Sequence, residues 1–318
     1  MTRSSLTLSL CALFVVHSPS SADIYLIPPP GVDLIGEDTS TVSAYEDTMP
    51  DIARRYGLGY EEILSANPGA DPWLPGEGRE IALPTRHILP PVPHEGLTIN
   101  LPEHRLYYFP KPRAGLAPQV VSHPISVGQM DWETPLGLTK IVAKQRKPTW
   151  FPPESIRAQH AKDGNPIPAA VPPGPDNPLG DYAMRLGIPG GAYLIHGTNR
   201  PVGVGMQITH GCIRMYPEDI ESLFRMVDVG TPVRIINQPV KTGWVGDVLY
   251  LEVHPPLAEG ASKPIDLTEL TRLLVAATQE RPVRINWPLA ERVLADARGT
   301  PVAVSLPQVT AAADPDLQ

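Results

Sequence analysis

The sequence predicts a mainly β protein with long ordered loops, not a helical bundle. Of its 318 residues, 40 are proline and 26 glycine. Proline is barred from helix interiors and central strands, so much of the chain must be loop, edge and extended connection. Short β-type runs bounded by turn residues recur from about residue 95 onward. Hydrophobic residues make up 42% and charged ones 19%, which supports a packed core and argues against chain-wide disorder. The length allows roughly two domains. The net charge of −8 argues against a protein built to coat nucleic acid, which needs a basic face.

Residues 1–22 have the form of a cleaved export signal. Arg3 supplies a positive start, residues 6–16 an apolar stretch of eleven, and Ser20, Ser21 and Ala22 the small residues of a cleavage site after Ala22. Eleven apolar residues are too few to span a bilayer, and no later stretch is long and apolar enough to do so. Cys11 lies inside this segment, so Cys212 is the one cysteine of the mature chain. A lone thiol in an oxidising compartment is either buried and inert or a candidate nucleophile.

Residues 23–38 read as a linker or edge strand. Residues 39–84 form a small α+β unit: a β run at 40–44, a helix capped by Asp47 or Thr48 and ended by Gly57, a second helix at 60–66 stopped by Asn67-Pro68, and a closing strand at 80–83. Pro90, Pro91 and Pro93 make a stiff spacer and a boundary. Beyond it, 96–101 alternates and pairs with 105–109 as a hairpin, and 120–127 and 138–143 continue the strand pattern. Residues 144–190 hold ten prolines and little periodicity. A loop that long is usually functional, and it reads as an active-site lid. Residues 192–195 form a buried-type strand ending at His196. Residues 217–227 form a helix with Pro217 at its first position, Glu218 and Asp219 in its first turn, a stripe of Ile220, Leu223, Phe224 and Val227, and Gly230 beyond its end. A strand follows at 232–236, then a hairpin at 238–254 around Gly246. Residues 264–305 read as a helix, a proline break, a second helix and a short strand, and the last dozen residues as a frayed end.

The chemistry concentrates in His196-Gly197-Thr198 and Thr209-His210-Gly211-Cys212-Ile213-Arg214-Met215. His196 lies at a strand end, and His210 and Cys212 share a loop before a helix. Gly211 lets the backbone take conformations that other residues resist. A thiol attacks as thiolate, and a neighbouring imidazole lowers its pKa by holding the proton. Each residue alone fits a glycine-rich turn. Together they form a minimal machine for acyl transfer through a thioester. A zinc site of His196, His210 and Cys212 is the alternative from residue types, opposed by the absence of Cys-x-x-Cys or His-Glu-x-x-His spacing. Gly203-Val204-Gly205 is not a phosphate loop, since no Lys-Ser/Thr follows in place.

This pattern, with twelve residues between His196 and Thr209, resembles the L,D-transpeptidase catalytic domain of YkuD type over residues 95–237. Thr134-Pro135-Leu136-Gly137 and Asn177-Pro178-Leu179-Gly180 belong to the resemblance. It implies a mixed β-sandwich, no cofactor and no metal. Cys212 takes the role of nucleophile, His196 of proton acceptor and donor, and His210 a supporting one. The backbone at Gly211 becomes an oxyanion donor, and Arg214, Thr198 and Thr209 contact substrate. Arg214 either binds a substrate carboxylate or braces the loop. Residues 39–84 resemble a LysM module through Thr41-Val42, Asp47-Thr48-Met49, residues 52–56, Ile63-Leu64, Asn67 and residues 81–84, with Glu46 where the module usually has glycine. That implies affinity for peptidoglycan glycan strands. Residues 238–318 form a small α/β C-terminal extension. The order of parts resembles the Gram-negative periplasmic members. The expected partners are peptidoglycan stem peptides and glycan strands, with an outer-membrane lipoprotein as one possible acyl acceptor. No nucleic acid and no membrane span are expected. An L,D-carboxypeptidase or a non-catalytic wall-binding adaptor are the competing readings.

Overall fold

The computed structural model describes residues 23–129, 133–190, 193–257 and 266–306. The expected export signal, its cleavage point after Ala22, Cys11 and the expected frayed end at 307–318 lie outside them. The N-terminal part contains β1 (Asp23–Leu26), β2 (Leu34–Ile35), β3 (Asp38–Val42), α1 (Met49–Arg55), α2 (Tyr60–Ala66), β4 (Glu80–Pro84) and β5 (His87–Ile88). The middle part contains β6 (Gly96–Asn100), β7 (Arg105–Phe109), β8 (Gln119–Pro124), β9 (Val127–Gly128), β10 (Gly137–Arg146), α3 (Glu154–Lys162), β11 (Tyr182–Leu186), β12 (Leu194–His196), β13 (Gln207–Thr209), β14 (Ile213–Arg214), α4 (Pro217–Met226) and β15 (Pro232–Ile236). The C-terminal part contains β16 (Val240–Val245), β17 (Val248–Val253), α5 (Leu267–Ala277), α6 (Trp287–Asp296) and β18 (Val302–Ala303).

The α+β unit forms as the sequence predicts. Between the two candidate caps, Thr48 is the one used. Its Oγ1 accepts from the Asp51 N–H at 3.2 Å, and the Asp51 carboxylate accepts from the Thr48 N–H at 3.3 Å. Asp47 instead pairs with Arg55 at 2.5 Å. Met49, Ile52, Ala53, Leu58, Ile63, Ile81 and Leu83 bury together as the unit's own core. β3 and β4 pair antiparallel and close it.

The curled central sheet runs β1-β8-β7-β6-β15-β10-β11-β12-β14. Most pairs are antiparallel, while β6 with β15 and β12 with β14 are parallel. α4 packs its Ile220, Leu223 and Phe224 stripe into the same core as Leu97, Ile99, Ile141, Met184, Ile195 and Ile213. Fully burying one such side chain contributes about 1.5–3 kcal/mol, so this helix pins the sheet segment that carries the site. The C-terminal extension is a β16-β17-β18 sheet with α5 and α6, and it has its own apolar cluster.

Four expectations change. First, 96–101 was expected to alternate, yet β6 and β7 are buried at every position. One face meets the main core. The other packs Tyr107 and Phe109 against Ile35 and Leu89, which also buries the polar alternates Thr98, Asn100 and Arg105. Second, residues 144–190 are not all loop. β10 runs to Arg146, and β11 is an interior strand of the central sheet with Ala183, Met184 and Leu186 buried. The prolines cluster at 148–178, and the proline-free stretch after them is free to pair. Third, the Pro90–Pro93 segment, expected as a stiff spacer at a boundary, is packed into the fold. Pro90 is buried, and His94 stacks on Phe109 with ring centroids 4.5 Å apart. β1 joins the central sheet on one side of the α+β unit and β6 on the other, so the unit is tied in at both ends. Fourth, α4 ends at Met226. Gly230 lies in the following turn at φ +94°, where its N–H donates to the Ile141 carbonyl at 2.7 Å.

Candidate active site

The parallel pairing of β12 with β14 builds the site. Ile195 faces Ile213, and His196 faces Arg214. Side chains alternate along a strand, and facing residues share a face. Ile195 and Ile213 point into the core and are fully buried. His196 and Arg214 therefore share the opposite face, and Cys212, one residue before Ile213, falls on that face beside Leu194. Ala183 is the neighbour of His196 on β11, small enough to leave the imidazole room.

The loop that carries Cys212 is held by hydroxyls. Gly211 has φ +86°, a left-handed conformation that costs a side-chain-bearing residue roughly 1 kcal/mol or more. Thr134 donates its hydroxyl to the Gly211 carbonyl at 3.1 Å, and Thr209 donates to the Cys212 carbonyl at 2.5 Å. Thr198 accepts from the Arg200 N–H at 2.9 Å. Thr198 and Thr209 are both buried, and these contacts use their hydroxyls to shape the two loops.

His196 is 5% exposed, and its Nδ1–H donates to the Gly197 carbonyl at 2.6 Å. That bond fixes the tautomer and leaves Nε2 as the acceptor. Burial, followed by the charge of Arg214, pushes the imidazole down to about 4. Burial pushes the Cys212 thiol up, opposed by a backbone hydrogen bond from Leu194 and by the Arg214 charge. The resting pair is therefore a thiol and a neutral imidazole. From the sequence, His196 is expected to take the thiol proton as imidazolium; desolvation acts against a charge on either group.

Arg214 is half-buried, and its Nε is buried without a hydrogen-bond partner among the described residues. Burial lowers its pKa, the nearby thiol raises it, and Arg200 lowers it again. His210 is exposed on the loop. Partial desolvation lowers its pKa, with further contributions from Arg214 and from His160 of α3. Helix α3 of the proline-rich segment thus lies close enough to His210 to act on it electrostatically.

The proline-rich segment after β10 is locked at its base by Asn177, which is fully buried. Its Nδ2 donates to the carbonyls of Pro148, Val171 and Pro172 at 2.8, 3.2 and 3.2 Å, and its Oδ1 accepts from the Leu179 N–H at 2.9 Å. Gly180 follows at φ +64°, where a Cβ would meet the Thr198 N at 2.9 Å. The Asn-Pro-Leu-Gly motif therefore lets this segment pass directly against the strand end that carries His196.

Among the described residues, the group whose ligand atoms all lie within 4.8 Å is His87, Glu103 and Glu252. The zinc set of His196, His210 and Cys212 is not such a group. In the buried cluster Lys241 Nζ lies 2.7 Å from both Glu103 and Glu252. An ammonium already holds the place a cation would take, so these residues fit an ion-pair network better than a metal.

The L,D-transpeptidase catalytic-domain family (YkuD) matches residues 95–235. The probable L,D-transpeptidase YcfS of Escherichia coli (strain K12) is 37% identical over 306 residues, covering 95% of this chain and 94% of that protein. The probable L,D-transpeptidase ErfK/SrfK of the same strain is 38% identical over 316 residues, covering 96% and 98%. The probable L,D-transpeptidase YbiS, also of that strain, is 41% identical over 258 residues, covering 79% and 82%.

Proposed function

The chain belongs to the L,D-transpeptidase family of transferases, and from that premise we propose that Cys212 is the nucleophile of a peptidoglycan cross-linking or anchoring reaction. The observation that carries the reading is the β12–β14 register, which sets His196, Cys212 and Arg214 on one face.

In this reading Cys212 Sγ attacks the peptide carbonyl of the third, diamino-acid residue of a stem tetrapeptide. The thiol proton passes to His196 Nε2, the acceptor nitrogen left by the Nδ1–H bond to Gly197. The tetrahedral oxyanion is met by backbone N–H groups at Gly211 and Cys212. As the C–N bond breaks, His196 returns its proton to the leaving amine of D-alanine, and a thioester remains on Cys212. An acceptor amine then attacks the thioester and loses a proton to His196. The sulfur departs and takes that proton back. Arg214 favours the sulfur's negative charge as it develops, and His210 supports the loop. The acceptor is the side-chain amine of a second stem, giving a 3→3 cross-link, or a lysine of an outer-membrane lipoprotein.

The α+β unit of residues 39–84 supplies affinity for glycan strands. Tyr45 (78% exposed), Trp73 (55%) and Leu74 (78%) support this. They lie on two loops joined by the Ser43 hydroxyl bonds to the Gly76 and Arg79 carbonyls. The reaction takes place in the periplasm after export. Among the described residues no helix is long and apolar enough to cross a membrane.

Incubating the purified protein with a stem tetrapeptide, alone, with a second stem or with a lipoprotein C-terminal peptide, tests this by mass spectrometry. The expected result is a thioester adduct mapped to Cys212, free D-alanine, and a product that names the acceptor. Release of D-alanine without an adduct or with water as the only acceptor refutes the transferase assignment.

A further inference from the structure

The loop that joins His196 to Cys212 leans on the α+β unit. The first N–H groups of a helix have no partner within it. In α2 they point at the catalytic domain. Tyr60 N–H donates to the Val204 carbonyl at 2.9 Å, and Glu61 N–H to the Gly205 carbonyl at 3.4 Å. The backbones touch here. A Cβ on Gly205 would lie 2.3 Å from Tyr60 N and 2.4 Å from Gly59 Cα, and one on Gly59 would lie 2.8 Å from Gly205 Cα. Glycine on both sides is what permits the approach. His104 Nδ1 adds a bond to the Gly205 carbonyl at 3.0 Å.

The contact is reinforced around its rim. Arg54 of α1 makes a two-pronged pair with Glu218 in the first turn of α4, at 2.7 and 2.8 Å. Tyr216, four residues after Cys212, donates its hydroxyl to the Leu58 carbonyl at 3.0 Å. Glu62 of α2 accepts from the Gly59 N–H at 2.9 Å and from buried Arg105 of β7 at 2.7 Å. The ties that cross the contact end on the loop between His196 and Cys212, on α4 and the residue before it, or on β7.

The held loop in turn abuts the site. The Gly203 carbonyl accepts from Ser126 Oγ at 2.7 Å, and the Ser126 carbonyl accepts from the Arg214 N–H at 3.1 Å. A Cβ on Gly203 would lie 3.7 Å from Arg214 Nη1. A shift at Val204–Gly205 therefore reaches the guanidinium that faces Cys212.

We infer that the α+β unit is a positioning element of the active site: the start of α2 clamps residues 203–205 and thereby sets where Arg214 stands relative to Cys212. The inference rests on the proposed role of Cys212. It gives the unit a task in catalysis separate from any glycan affinity. Tyr60 is the first helical position of α2, after an extended Gly59. That position accepts proline without harm to the helix. Tyr60→Pro thus deletes the donated N–H and crowds the Val204 carbonyl, while Tyr60→Ala keeps the N–H.

The test is the rate of iodoacetamide modification at Cys212, mapped by mass spectrometry and measured against pH in the full chain, beside acylation by a carbapenem. Tyr60→Pro should slow both by about tenfold or more, the scale of a small misplacement of a reacting group. It should also move the alkylation pH profile, with the melting transition retained. Tyr60→Ala should follow wild type. A wild-type rate and profile in folded Tyr60→Pro overturns the inference. If Tyr60→Pro does not fold, Arg54→Met decides, since it cuts the second tie: a changed profile supports the clamp and an unchanged one overturns it. Failure of the wild-type protein to form an acyl-enzyme with a stem peptide refutes the transferase reading, while the alkylation series still judges the clamp.

Discussion

The low pKa of His196 has a measurable kinetic consequence. Its burial and the Arg214 charge push the imidazole to about 4, against an ordinary value of about 6.5. Only the neutral ring can accept the thiol proton. At pH 5.5 a group titrating at about 4 is about 97% neutral, whereas an ordinary histidine is about 9% neutral. Acylation of Cys212 by a carbapenem, followed by stopped flow, should therefore be almost unchanged between pH 7 and pH 5.5. An unshifted histidine predicts a fall of roughly tenfold over that range. The acid limb should lie near pH 4. His196→Gln should remove that limb and most of the rate. Stability moves with the same proton. A folded pKa below the unfolded one means stability is fully present above pH 6.5 and is lost as pH falls toward 4. Acidification from pH 7 to 5.5 should cost about 1 kcal/mol from this group, visible as a lower urea midpoint. A half-maximal acylation rate near pH 6.5 would refute the reasoning, because it would mean that the imidazole is not desolvated in the working enzyme.

Other outcomes follow from the same geometry. Cys212→Ala should abolish product by mass spectrometry while chelators leave the wild-type rate intact, and loss of activity on chelation would revive metal chemistry. Asn177→Ala should free three backbone carbonyls and one amide, lower stability by about 2–4 kcal/mol at roughly 1 kcal/mol per bond, and, if the proline-rich segment covers Cys212, raise hydrolysis relative to aminolysis in a product assay. Trp73→Ala and Tyr45→Ala should weaken sedimentation with peptidoglycan sacculi without slowing turnover of soluble stem peptides. Lys241→Met should cost about 3–5 kcal/mol in denaturant unfolding, because it strands the buried carboxylates of Glu103 and Glu252.

Much of this protein was legible in the chain itself. Proline density, turn residues and short apolar runs marked a sheet-rich fold, and strand–helix–helix–strand order marked the α+β unit. Local signals of that kind survive because caps, breakers and periodicity act over a few residues. The Cys212 and His196 pair stood out for another reason, since the proposed acyl transfer needs a thiol and a base and few residues can supply them. Three things were decided only by tertiary structure. The interior strand β11 was hidden because its neighbours are proline-rich and its partners β10 and β12 are distant in sequence or short. The protonation state of Cys212 and His196 depends on burial, which no spacing records. The clamp of α2 on Val204 and Gly205 joins residues more than 140 positions apart through backbone atoms, and backbone hydrogen bonds leave no mark in side-chain identity beyond the glycines that let the two chains approach.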